Sequence, residues 1–386
     1  MPRLIALVIL CSGLLVAGVS SGLIVARRAT NDSAWLAYTP KPDLELHRVR
    51  RDGNQKVRLT SNGAYNYAPS WSPDGRWLLF SSNADGDRDV YRVNIMGRHM
   101  YQLTGQGRDG QTEEDAQFSP DGQWVTLRLW PYWAGYPAKF EIFMMRPDGS
   151  QALPLTRLSR QSVIVGSVKW SPDGQRLAVN VELPDHAGFA VYVVDVDGQN
   201  LHLWATNWQV FDWTPDGRQL MGAVYQNDDD ESPRLMLMDA DTPGAPILLT
   251  DALPTIQQAT LAPDGDSVLV TSGCVDYQLA MCLYRLPLRG GAIPQRLTGP
   301  HRWIPFAAWS ARGNWIAWVG ALGQERDLGL FMMRADGRDL RRVVEEGVDQ
   351  RIVWSPPIER AWAGPLWLVM GGAGILWGGW RLLLRR

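Results

Sequence analysis

Three stretches of the chain carry residue types at spacings that chemistry could use. Asn83-Ala-Asp-Gly-Asp-Arg-Asp89 sets carboxylates at alternate positions, as the first half of a calcium loop does. No Glu completes that pattern and Asp-Gly is a turn pair, so a tight turn is the expected reading. Gly105-Gln-Gly-Arg-Asp-Gly110 has the spacing of a dinucleotide fingerprint. A strand is expected after it, so no helix N-terminus would await a pyrophosphate. Gly18-Val-Ser-Ser-Gly22 has the spacing of a nucleophile elbow but sits inside an uncharged apolar run, with no strand-to-helix turn. The acidic run Asn227-Asp-Asp-Asp-Glu231 reads as a solvated loop. His47, His99, His186, His202 and His301 are scattered, and the three Cys have no zinc-ligand spacing. The expectation is therefore no catalytic residue, no metal and no cofactor.

Two features point to binding or to compartment instead. Trp130-Pro-Tyr-Trp-Ala-Gly-Tyr-Pro137 is an aromatic insertion. Its Trp130, Tyr132, Trp133 and Tyr136 suit gripping a protein, a peptide or a sugar, or else packing over the scaffold's own edge. Cys274 and Cys282 fall at the end of one expected strand and the start of the next. They could form a disulfide across a hairpin, which would suit an oxidising compartment, or remain two half-buried thiols. The 38 Lys and Arg against 40 Asp and Glu leave no basic field for a nucleic acid backbone.

The elements that must position these residues are repeats. Trp71-Ser-Pro-Asp-Gly75, Phe118-Ser-Pro-Asp-Gly122, Trp170-Ser-Pro-Asp-Gly174, Trp213-Thr-Pro-Asp-Gly217, Leu261-Ala-Pro-Asp-Gly265, Trp309-Ser-Ala-Arg-Gly313 and Trp354-Ser-Pro-Pro357 recur every 43 to 52 residues. Each turn is followed by a short apolar strand, then by a second strand such as Val90-Tyr-Arg-Val93. A further turn, often Asp-Gly, leads to a last strand that often ends in Leu-Thr. Four short strands per unit of this length define a propeller blade. The aromatic before the turn would fill the space between blades, which accounts for much of the excess of 19 Trp. Residues 34–60 match strands two to four of a unit, and Ile352-Val-Trp-Ser355 matches a first strand alone. One blade is thus expected to be split between the two ends, closing the ring and removing a free edge. The expected fold is all-β: a seven-bladed propeller over 34–356, six blades being the alternative count.

The Trp-Ser-Pro-Asp-Gly turn, the Asp89-Val-Tyr91 strand start and the closing Leu-Thr resemble the propeller repeat of the TolB family over residues 34 to 356. The resemblance implies architecture more than function. No α/β domain is expected ahead of the propeller and the expected blade count differs from the family's, so Tol-system partners are not carried over.

Both ends read as membrane segments. Leu4 to Ala26 is 23 residues without a charge, ending at Arg27 and Arg28, and residues 361–380 are apolar with Trp near both ends and Arg beyond. Transmembrane helices are expected over 1–28, as a signal anchor with a cleaved signal peptide as the alternative, and over 361–384. The basic residues lean towards cytoplasmic termini, which would set the propeller outside an inner membrane, in the periplasm. The function expected is a non-enzymatic binding or scaffold module of the cell envelope that engages a protein, peptide or glycan on its membrane-distal face. The alternatives are a propeller hydrolase or lyase and a structural subunit of a larger membrane complex.

Overall fold

The computed structural model describes residues 34–105, 111–131, 141–156, 164–183, 188–225, 233–291, 293–322, 328–344, 347–348 and 351–357. Both expected membrane segments lie outside them, as do the acidic run 227–231 and His186. The described chain is all strand and turn, and no helix in it is long and apolar enough to cross a membrane. The strands form antiparallel meanders of four. Five are separate sheets, and two more are joined into an eight-stranded sheet through the single pairing Met281↔His301. In one representative meander Asn66–Trp71 pairs with Trp77–Ser82, that strand with Asp89–Asn94, and the last with Met100–Gln102. The split unit is present as well. Val353–Trp354 pairs with Trp35–Tyr38, which continues into His47–Arg50 and Val57–Arg58.

Each piece of the repeat has a physical task. In the first turn the Ser72 hydroxyl donates to Asp74 (2.6 Å) and accepts the N–H of Trp77 (2.9 Å), so the turn is locked at both ends. Ser119, Ser171 and Thr214 repeat the lock on Asp121, Asp173 and Asp216. The hydroxyl bonds from Ser171 and Thr214, followed by those from backbone N–H groups, hold the carboxyls of Asp173 and Asp216 below the usual range. The same turns also touch across units. Gly122, Gly174, Gly217, Gly265 and Gly313 lie against Pro73, Pro120, Pro172, Pro215 and Pro263 of the preceding unit, where an added Cβ would stand 3.2 to 3.8 Å from the proline ring.

The aromatic before the turn does more than fill space. The indole N–H of Trp71 donates to the carbonyl of Val353 (3.2 Å), that of Trp213 to Lys169 (3.0 Å), that of Trp309 to Thr260 (3.3 Å) and that of Trp354 to Ala308 (3.1 Å). Each acceptor belongs to the first strand of the preceding unit, so the Trp ties neighbouring sheets by a bond as well as by its buried area. The Thr of the closing Leu-Thr pins the last strand to the third. Thr60 donates to Glu45 (2.5 Å), Thr104 to Asp89 (3.2 Å) and Thr156 to Glu141 (3.0 Å), while the same hydroxyls accept N–H bonds from Leu46, Val90 and Ile142.

The apolar core is divided among the spaces between sheets. Ala37 and Leu46 of the split unit share one cluster with Trp71, Leu78 and Phe80 of the next sheet, and Leu36 and Val49 share another with Trp315 and Val319 of the preceding one. Stability therefore rests on each sheet meeting both neighbours.

Candidate functional site: the central channel and its rim

The first strand of every unit lines one cavity of about 560 Å³, reached by Ser70, Asp115, Ser167, Gln209, Gln258, Phe306 and Arg351 among others. These inner strands are irregular. Their pairing slips between Tyr67 and Ser70, Glu114 and Gln117, Val165 and Val168, and Val210 and Asp212. Such a bulge turns the backbone and changes which side chains face the channel. Ala68 and Asp115 take φ of 52° and 56° within these bulges, a left-handed conformation that is uncommon for residues other than glycine.

Two charged groupings result. Asp115 pairs with Arg351, from just before the closing strand, and with Arg128 (3.0 Å); Arg128 pairs also with Glu114, which accepts from Tyr67 (3.2 Å) and lies 3.5 Å from Arg88. This network runs along three neighbouring units and fastens the chain's last strand to its second inner strand. The other grouping is Lys169 with Asp212 from adjacent inner strands. Both are half-buried, and Lys169 lines the channel. Burial lowers the Lys169 pKa and raises that of Asp212, and each is countered by the opposite charge of the other. Asp212 also accepts the N–H groups of Leu261 (3.1 Å) and Trp213 (3.0 Å) and the Thr260 hydroxyl (3.3 Å). A wall carrying both signs in one cavity suits a dipolar segment such as a peptide better than a polyanion.

Of the residues singled out in the sequence, Asp85, Asp87 and Asp89 come together, with one carboxylate oxygen from each within 4.8 Å of the others. A hard cation could be held by such a set. Asp89, however, is fully buried in the Thr104 bond that recurs at Glu45 and Glu141, Gln102 donates to both Asp89 and Asp85, and the Gly86 N–H closes the turn onto Asn83. The scaffold lock explains Asp89 without an ion. Burial first, and then a hydrogen bond shared with Asp85, raises the Asp89 carboxyl to about 6. A carboxyl that holds its proton more tightly when folded contributes stability that is fully present below about pH 4 and is lost as the pH rises through its folded value. Urea midpoints of the wild type are thus expected to carry a downward component between pH 4 and 6 that Asp89→Asn removes. Parallel pH profiles for the two proteins would refute the assignment.

Cys274 and Cys282 are joined as a disulfide, Cα atoms 5.2 Å apart, across the hairpin of Ser267–Cys274 and Tyr277–Pro287. Both are buried. Replacing the pair by Ser is expected to cost about 2.5 kcal/mol through the lost closure of a short loop, read as a urea midpoint that reductant also lowers. An unchanged midpoint would show that the bridge carries no load.

Trp130 is the next-to-last residue of the strand Val125–Pro131, where its backbone pairs with Thr112; Tyr132, Trp133 and Tyr136 lie outside the described residues. The glycines at 105–110 are followed by the strand Gln111–Phe118, as the sequence led one to expect. His47 bonds Asp43 (2.8 Å), and His301 is buried against Trp318 and Phe331, so these two do not converge. Sequence reasoning missed the channel charges. Lys169 and Asp212 each stand immediately before a repeat Trp, and that offset is the only signal that could have found them.

No family model matches the sequence. The chain is 26% identical over 137 residues to an uncharacterized protein of Agrobacterium fabrum, covering 35% of this chain and 46% of that protein. It is 35% identical over 51 residues to the Tol-Pal system protein TolB of Desulfosudis oleivorans, covering 13% of this chain and 12% of that protein. It thus spans less than half the length of these curated relatives. Among solved structures it is similar to TolB from Acinetobacter baumannii, with a TM-score of 0.53, 16% identity, and 84% of this chain and 67% of that one covered. A puromycin hydrolase gives 0.63 and 18%, with 83% and 53% covered, and an oligogalacturonate lyase in complex with manganese gives 0.58 and 14%, with 79% and 82% covered. At these identities the likeness shows the fold alone. The chain has a TolB-like β-propeller fold, one shared by TolB and by hydrolases and lyases.

Proposed function

We propose that this chain is a seven-bladed, TolB-like propeller, held to a membrane by its two apolar end segments and acting as a non-enzymatic binding module of the cell envelope. The observation that carries this reading is the meeting of the propeller's first and last described strands. The Ser355 N–H donates to the Trp35 carbonyl (2.8 Å), and the Trp35 N–H donates to the Ser355 hydroxyl (3.1 Å). Segments 1–33 and 358–386 therefore leave from one point on one face. The channel mouth and the longer loops of the opposite face are left for a partner: a protein, a peptide or a glycan. The carboxylates of the repeat are taken up by the scaffold, which supports binding over catalysis.

Two measurements on the full-length protein test the proposal. Protease added to intact spheroplasts is expected to cut the propeller loops, which places them outside the membrane. A broad panel of peptidase, esterase, lactonase and polysaccharide-lyase substrates is expected to give no turnover. Turnover abolished by Lys169→Ala or Asp212→Asn would overturn the non-enzymatic reading in favour of a propeller hydrolase or lyase.

A further inference from the structure

The two turns of each unit lie on one face. Just after the third strand, the N–H groups of Ile95, Val196, Ala240, Leu288 and Ala335 donate to the carbonyls of Arg76, Gln175, Arg218, Asp266 and Asn314, each at the end of its unit's first turn, at 2.8 to 3.0 Å. The first and last described residues lie at this same face, because Ala34, next to the Trp35–Ser355 junction, accepts the N–H of Arg51 at the second turn of the split unit (3.1 Å).

This turn face carries apolar tips spaced around the ring. Met96, Leu153, Leu203, Ile247, Ile293 and Leu340 stand at or just after the second turn of six successive units. Each is about half exposed or more, and Ile293 is 91% exposed. Turn positions are ordinarily polar, and a large exposed apolar side chain at this place in six units, with Met100 and Tyr101 near Met96 and Leu248 beside Ile247, is not the scattered exposure of an ordinary surface. Among the described residues the opposite face exposes large apolar side chains only at Val275, Tyr277 and Trp303, all from two neighbouring units. Behind the tips stand stacks of guanidinium on indole: Arg48 over Trp35 (4.0 Å), Arg92 over Trp77 (4.8 Å) and Arg146 over Trp124 (3.7 Å). Indole and basic groups backing apolar tips is the composition of surfaces that rest in a lipid headgroup layer.

We infer that the turn face is a bilayer-contact surface, on which the ring of second-turn tips dips into the headgroup layer while the channel axis stands across it. The occupant is set by the chain itself. Apolar segments of membrane-spanning length, 4–26 and 361–380, are joined by short connections to the one point on this face where residues 34 and 357 lie. The inference rests on the membrane anchoring proposed above and adds to it a contact shared around the whole ring.

The test uses the full chain in proteoliposomes of phosphatidylcholine and phosphatidylglycerol, with benzoylphenylalanine in place of Leu340, of Leu153 or of Val275, one at a time. Irradiation is expected to give lipid adducts at 340 and 153, on opposite parts of the ring, and none at 275. Equal adducts at all three sites, none at 340 and 153, or an adduct at only one of those two would overturn the ring contact. Carbonate extraction of the same membranes separates this from the anchoring reading. Protein stripped off by carbonate refutes the anchors; protein retained without adducts at 340 and 153 refutes the contact surface alone. All three positions are exposed, and matching urea midpoints for the substituted and parent proteins exclude misfolding as the cause of a missing adduct.

Discussion

Trp354→Ala is expected to destabilise the propeller by about 3 to 5 kcal/mol, more than the short strand it sits on would suggest. Trp354 is one of only two residues in the closing strand and is paired with Leu36. Its ring is buried among Leu36, Trp315 and Val319, and its indole N–H is bonded to the Ala308 carbonyl of the preceding unit. Truncation removes the buried ring, the bond between sheets and the covering of the edge of Trp35–Tyr38 together, so the ring should open there first. The measurement is the urea midpoint, together with amide exchange across residues 35–38, which should speed up selectively. Trp354→Phe keeps most of the buried area and should cost about 1 kcal/mol, the net worth of one hydrogen bond. An alanine variant as stable as the parent would mean that closure does not depend on this residue.

The chain contains its own precedent for the smaller effect. Phe118 and Leu261 occupy the same repeat position without an indole N–H. At Leu261 the tie between units is remade from the other side, because Asp212 of the preceding unit accepts the Leu261 N–H and the Thr260 hydroxyl. This tie explains why an acid stands near the channel-lining Lys169, where the sequence offered no reason for one.

What the sequence made legible was whatever repeats. The Ser-Pro-Asp-Gly turn, the aromatic before it, the second Asp-Gly and the closing Leu-Thr each recur because each makes the same contact in several units, and the split between residues 34–60 and 352–355 is visible because one piece of the pattern is missing at each end. The partners of those contacts were not legible. An indole bonded to a backbone carbonyl, or a glycine packed on a proline ring, leaves no mark on the partner's identity. The channel wall was hidden for a different reason. A strand's faces are read by alternation, and a bulge in the inner strands, as between Glu114 and Gln117 or Val165 and Val168, breaks the alternation just where Asp115 and Lys169 come to line the channel. The carboxylates at 85, 87 and 89 were seen from the spacing, but their tie to Thr104 depends on a strand pairing that spacing cannot supply.

Gly149→Ala should show that the second turn is a contact between sheets and not merely a connection. Gly149 has φ of +84°, and a Cβ placed on it would stand 2.8 Å from the carbonyl oxygen of Leu103 in the neighbouring unit. Leu103 cannot yield easily, since its own N–H is bonded to the Val90 carbonyl (2.8 Å) and Thr104 beside it is held by Asp89. The cost then has two parts, a left-handed backbone carrying a side chain and an overpacked contact against fixed backbone, for a total of about 3 kcal/mol. Gly63→Ala separates them. Gly63 has φ of +69° and nothing within 4 Å of an added Cβ, so it should show the backbone part alone, about 1 kcal/mol. The comparison is made on urea midpoints. Equal losses at the two positions would mean that the Asp-Gly turn and the Leu-Thr strand end do not bear on each other, and that the two signatures recur for separate reasons. A larger loss at 149 would establish that they recur together because they are the two sides of one joint, which Gly97 makes with Leu59 and Gly198 with Leu155.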